Sequence, residues 1–181
     1  MKAKLILLFV MLATVIGLSG CADDRRSTAA GNHQIVQNLF AQFGWRTVGV
    51  PVEGEGVMPN DFRLNFDRFP WRVYLDLSMD VGLDFSSLTG AKVRTLRYRI
   101  EDSTGQRLEY IRDHVLWAEA LLDQDGKIRG AWLIYEDHQG NAIPGAPTYS
   151  LRAKTIEQVT GLTWSEYVQK HSGSGPVDAT P

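Results

Sequence analysis

The chain has one cysteine in 181 residues, Cys21, and it stands at the end of an uncharged apolar run. Beyond it there is no thiol. An intramolecular disulfide, a CxxC redox pair, a cysteine nucleophile and a Cys-ligated zinc are therefore all excluded from the rest of the chain. A fold without such staples has to be held by its packed core. The composition supplies one: 44% of residues are hydrophobic and 10% aromatic, too apolar for a disordered chain. The stretch from 32 to 171 has the length of one domain, within the usual ~100–200 residues.

The run itself starts at a basic Met1-Lys2-Ala3-Lys4 and continues from Leu5 to Leu18 without a charge. At ~1.5 Å per residue it is too short for a hydrocarbon core of roughly 30 Å, so it reads as an export signal. It closes on Leu18-Ser19-Gly20-Cys21, which resembles the lipobox of bacterial lipoproteins. The resemblance implies a diacylglyceryl thioether on Cys21, cleavage just before it, and acyl chains such as palmitate as a membrane anchor. One chain alone binds marginally, at ~0.8 kcal/mol per buried methylene, so two are needed for a lasting hold. The expected organisation is a lipoprotein signal peptide over 1–20, a flexible tether over 21–31, one domain over 32–171 and a disordered tail over 172–181. Removing the signal takes away Lys2 and Lys4, so the formal charge of −2 becomes −4. That balance argues against nucleic acid as a partner.

Periodicity predicts the elements. Ile35, Val36, Leu39, Phe40 and Phe43 lie on one face of a helix over 32–44, with Asn32 as N-cap and Gly44 past its end. Trp45 to Pro51 reads as a strand, followed by a turn at Gly54-Glu55-Gly56. Over 71–85 every odd residue is apolar, as in a strand. A helix from Pro70 to Val81 instead puts Arg72, Asp76 and Asp80 on one polar stripe, and the helix is preferred because 15 residues greatly exceed a usual strand of ~5–6. Lys92 to Glu101 alternates as a strand. His114 to Leu122 and Lys127 to Tyr135 form a hairpin about Asp123-Gln124-Asp125-Gly126, with a helix left open for the first arm. Two short helices follow, one over 154–160 and one opened by a Thr163/Glu166 capping box. The expected fold is α+β: an N-terminal amphipathic helix and short helices packed on a small antiparallel sheet.

Phe43-Gly44-Trp45, Val57-Met58-Pro59, Gly82-Leu83-Asp84-Phe85, Gly90, Lys92, Tyr98, Gly130-Ala131-Trp132 and Thr160-Gly161-Leu162-Thr163-Trp164 recur as a pattern. It is similar to a family of small uncharacterised Gram-positive lipoproteins with a domain of unknown function, over residues 35–168. The resemblance implies an exported address, an α+β domain and a helix before Gly82. It implies no catalytic residue.

Candidate chemistry is sparse. In an EF-hand register, Asp123 and Asp125 would need carboxylates at 121 and 132, where Leu121 and Trp132 stand, so a hairpin turn is preferred over a calcium loop. Gly54-Glu55-Gly56 opens no helix and makes a poor phosphate loop. No G-x-S-x-G occurs. Among the histidines, His114 and His138 sit beside Asp113 and Asp137 at the open end of the proposed hairpin. These four are the candidate ligand-binding cluster for metal or acid–base work, weighed against ordinary strand-end surface. Arg94, Arg97 and Arg99 make a basic strand, read as a solvated face or a site for an anionic envelope ligand. Of Trp45, Trp71, Trp117, Trp132 and Trp164, three or more are expected to be largely buried rather than lining a glycan or peptide cleft. No catalytic residue, metal site or cofactor is assigned. The leading expectation is a non-catalytic binding or interaction module, lipid-anchored outside the cytoplasm, with an envelope protein or wall polymer as partner. An envelope hydrolase or metal-dependent enzyme using the Asp/His cluster, and an accessory subunit of a membrane complex, are the alternatives.

Overall fold

The computed structural model describes residues 20–64, 70–103, 108, 114–137, 143 and 146–172. The chain divides into two compact units, 1–35 and 36–181. The boundary falls inside helix α1 (Gly20–Gln42). The signal run up to residue 19 and most of the expected tail lie outside the described residues. The segment 21–31, expected as a tether, lies within α1, which begins at Gly20. It contains no proline, and its alanines and arginines are good helix formers. Among the described residues, no helix is long and apolar enough to cross a membrane.

The second unit is α+β. After α1 come β1 (Trp45–Val57), α2 (Trp71–Met79), a 3-10 turn (Ser86–Leu88), β2 (Lys92–Asp102), β3 (Val115–Leu122), β4 (Ile128–Glu136), α3 (Ile156–Thr160) and α4 (Trp164–His171). The strands form one antiparallel sheet in chain order, β1-β2-β3-β4. Helix α1 stops at Gly44, whose φ of 83° is left-handed backbone that glycine adopts without penalty.

Strand β1 runs through the expected Gly54–Gly56 turn. Val48 pairs with Arg99 but Val52 pairs with Arg97, so Gly49, Val50 and Pro51 form a bulge. Pro51 has no N–H to donate and is tolerated there. Beyond the bulge, Gly54 faces Thr95 and Gly56 faces Val93. A Cβ on Gly54 would lie 2.6 Å from Thr95 Oγ1. The glycine therefore serves a close strand contact, and its turn-like look in the sequence is misleading.

The sheet buries both faces. Leu96, Tyr98, Ile100, Ala118, Ala120, Ala131 and Leu133 pack on one face with Val36 and Phe40 of α1 and with Tyr149 and Leu151. Val93, Leu121 and Trp132 on the other face receive Val73, Tyr74 and Leu77 of α2 together with Phe85. Tyr74 stacks on Trp132 at 4.5 Å and 5°. Trp45 and Trp132 are buried, Trp71 and Trp117 half-buried, and Trp164 is 44% exposed. Four of the five tryptophans are thus largely buried, in line with the three or more expected, and Trp164 is the exposed one. Trp117 and Trp132 share a face but sit diagonally, because Trp117 pairs with Ile134 and Trp132 with Glu119.

The helical reading of α2 holds, with Pro70 as N-cap and Gly82 (φ 80°) past its end. Its polar stripe does not face water as a free stripe would. Arg72 donates to both oxygens of the buried Asp76, at 3.0 and 2.8 Å. Asp80 accepts from Ser150 Oγ and Lys154 Nζ, each at 2.8 Å. A helix covered on two sides can keep carboxylates only by pairing them.

Candidate functional site

An apolar groove of about 440 Å³ opens where the start of α2 meets the segment before Tyr149 and the last two helices. Its walls are Pro70, Val73, Ala146, Pro147, Ile156 and Trp164, with Thr148, Thr155 and Glu157 as the polar members. That size lies within the ~300–1,000 Å³ of small-molecule sites. Two consecutive capping boxes fix the wall. Thr155 caps α3 with Gln158, and Thr163 caps α4 with Glu166. Between them Gly161 turns the chain at φ 71°. The result puts Glu157 beside Trp164, where its Oε1 accepts the Trp164 backbone N–H at 3.0 Å.

Trp164 is also braced from below. Its ring stacks on Tyr167 at 5.8 Å and 18°. Tyr167 is buried and its hydroxyl donates to Asp76 Oδ2 at 2.6 Å. Burial, and then that carboxylate, push the Tyr167 phenol far above its ordinary value. The exposed indole is therefore tied through Tyr167 to the Arg72–Asp76 pair. Among the described residues, the lining holds one carboxylate and no basic residue. Lys154, adjacent in sequence to Thr155, is committed to Asp80.

A second polar feature lies on the sheet face that carries α2. Arg97 pairs across the sheet with Glu119 but extends over Trp117, 4.8 Å from the ring centre, to bond Glu136 Oε1. Glu136 is 4% exposed, and its buried Oε2 has no hydrogen-bond partner among the described residues. Burial raises the Glu119 carboxyl above its usual range; Arg97 offsets part of this and Glu136 adds to it. Arg94 pairs with Glu53 at 3.1 Å. The basic strand read from the sequence is thus largely neutralised by carboxylates of its own sheet.

The expected Asp/His cluster is placed only in part. His114 immediately precedes β3 and Asp137 immediately follows β4, and the Val115–Glu136 pairing brings both to the open end of the hairpin. Asp113 and His138 lie outside the described residues. Among the described residues, no three His, Cys, Asp or Glu side chains converge as a metal ion requires. Asp123 is a turn residue. Its Oδ1 accepts the N–H groups of Asp125 and Lys127, its Oδ2 meets Arg129, and Gly126 has φ 77°. The hairpin turn read from the sequence therefore stands over the calcium loop.

The family described as Domain of unknown function (DUF4830) matches residues 39–133, just over half of the chain. The chain belongs to that family. The DUF4830 stretch runs from the last turn of α1 to within β4, so it supplies Pro70 and Val73 of the groove. Ala146, Pro147, Ile156, Glu157 and Trp164 lie beyond it. The matched stretch is shorter than the 35–168 over which the sequence pattern recurs. No curated protein and no solved structure matches the chain. Sequence reading missed the Glu157–Trp164 pair. The signal was there as two capping boxes separated by Gly161, which fix how the two short helices meet.

Proposed function

We propose that this DUF4830 protein is a non-catalytic binding module, exported and held to the cell membrane by lipid on Cys21. The groove carries the binding half of the reading. It is a concave apolar surface with a braced, 44% exposed tryptophan at its rim, and an indole left in water at that cost of apolar exposure suits a ligand contact. The anchor half rests on the uncharged run that ends at Leu18-Ser19-Gly20-Cys21.

Each half has its own test. Metabolic labelling with palmitate should mark the wild-type chain in the membrane fraction and leave Cys21→Ser unlabelled; a labelled mutant overturns the anchor. For binding, the isotope-labelled protein is titrated with soluble envelope extract and followed by NMR. Saturable shifts gathered on the groove residues support the reading. Shifts confined to other surfaces count against it.

A further inference from the structure

The groove has a chemistry as well as a shape. Its lining is mostly apolar, with Val73, Ile156, Pro70 and Pro147, and it includes an exposed indole, Trp164, and a carboxylate, Glu157. Glu157 uses Oε1 on the Trp164 backbone, and its other oxygen makes no bond among the described residues. An aromatic ring and a carboxylate that line the same groove attract the same thing, a cation. An anion would meet no basic residue among the described residues of the lining. Two cations of the neighbouring elements are already paired, Lys154 with Asp80 and Arg72 with Asp76.

The polar members narrow the class further. Glu157 and Thr148 offer oxygen acceptors in the lining. A primary ammonium brings three N–H donors to such a site, whereas a quaternary ammonium brings none. A chain of methylenes ending in that group would lay its stem on the apolar lining and bring its head to those acceptors, as lysine stems do on apolar surface. Building on the binding reading above, we propose that the groove holds a lysine-type side chain of a peptide ligand, with the ammonium between Trp164 and Glu157.

The test titrates the full chain by calorimetry and NMR with a short capped peptide of Ala-Lys-Ala type, up to millimolar concentration. Matched peptides carry norleucine or trimethyl-lysine at the central position. The lysine peptide should bind with shifts at the Trp164 indole, and norleucine should bind at least ~10-fold more weakly. Trp164→Ala and Glu157→Gln should each weaken the lysine peptide by about 10-fold. Glu157→Gln keeps an oxygen for the Trp164 N–H, so its fold is preserved even if Trp164→Ala loosens α4. Equal binding of norleucine and lysine overturns the cation assignment while leaving a binding groove. Binding of trimethyl-lysine as tight as lysine overturns the primary-ammonium assignment. Absence of any groove shift with all three peptides overturns the proposal; envelope extract then shows separately whether the groove binds anything.

Discussion

Single residues show where this domain stores conflict. Glu119 is a carboxylate pressed into the sheet beside Glu136, with one shared arginine between them. Its folded pKa is raised above the unfolded value, so folding takes up protons at this site. Its stabilising contribution is complete below the unfolded value near ~4.3 and is lost as pH rises through the raised one. Glu119→Gln should therefore raise the melting temperature at pH 7–8, and the gain should shrink towards pH 4. Melting curves across that range check this, and a gain independent of pH would contradict the cause given. Gly130 is the opposite case, a position chosen for what it lacks. A Cβ there would stand 2.6 Å from Phe85 Cδ1 and 3.2 Å from Ser78 Oγ. Gly130→Ala should cost about 1–3 kcal/mol by overpacking, read as a lower urea midpoint with unchanged slope.

At the scale of elements, what the sequence made legible was local. The β3–β4 hairpin follows from alternation on both arms and from Asp123 and Gly126 in the turn, all close along the chain. Helix α4 follows from a capping box whose two halves are three residues apart. β1 was misread because the reason for Gly54 is Thr95, on a different strand. Glycine close to a partner strand and glycine in a turn look the same in one dimension. The distinction is measurable. Gly54→Ala should destabilise by about 1 kcal/mol or more, and much of that loss should vanish in a Thr95→Ala background. Additive losses would show that the clash with Thr95 is not the reason. The buried polar stripe of α2 was likewise invisible, since Arg72, Asp76 and Asp80 look like a solvated face until α4 and Lys154 are seen against them.

At the scale of the second unit, the two last helices are joined to the rest by a few specific ties. The central one is Tyr167 to Asp76, a hydrogen bond to a buried carboxylate. Tyr167→Phe keeps the packing and removes that bond, at a cost of about 1.5–3 kcal/mol. The same change should loosen Trp164 and weaken any groove ligand, whereas Gly130→Ala should lower stability and leave ligand affinity alone. Denaturant titration paired with ligand titration separates the two. This is also why the candidate site was the least legible part of the chain: its walls come from residues 70–73, 146–148 and 155–164, which nothing in local periodicity brings together.

The strand order has a temporal meaning. Because β1 to β4 follow one another in chain order, each new strand meets a neighbour that has already been made. As a chain emerges from its N-terminal end, the sheet reaches its last rung at Glu136. The rim of the groove is not present until Trp164 follows. The residues of the scaffold are thus all made before those of the mouth, and a chain ending short of the final helices lacks the Trp164 side of this groove.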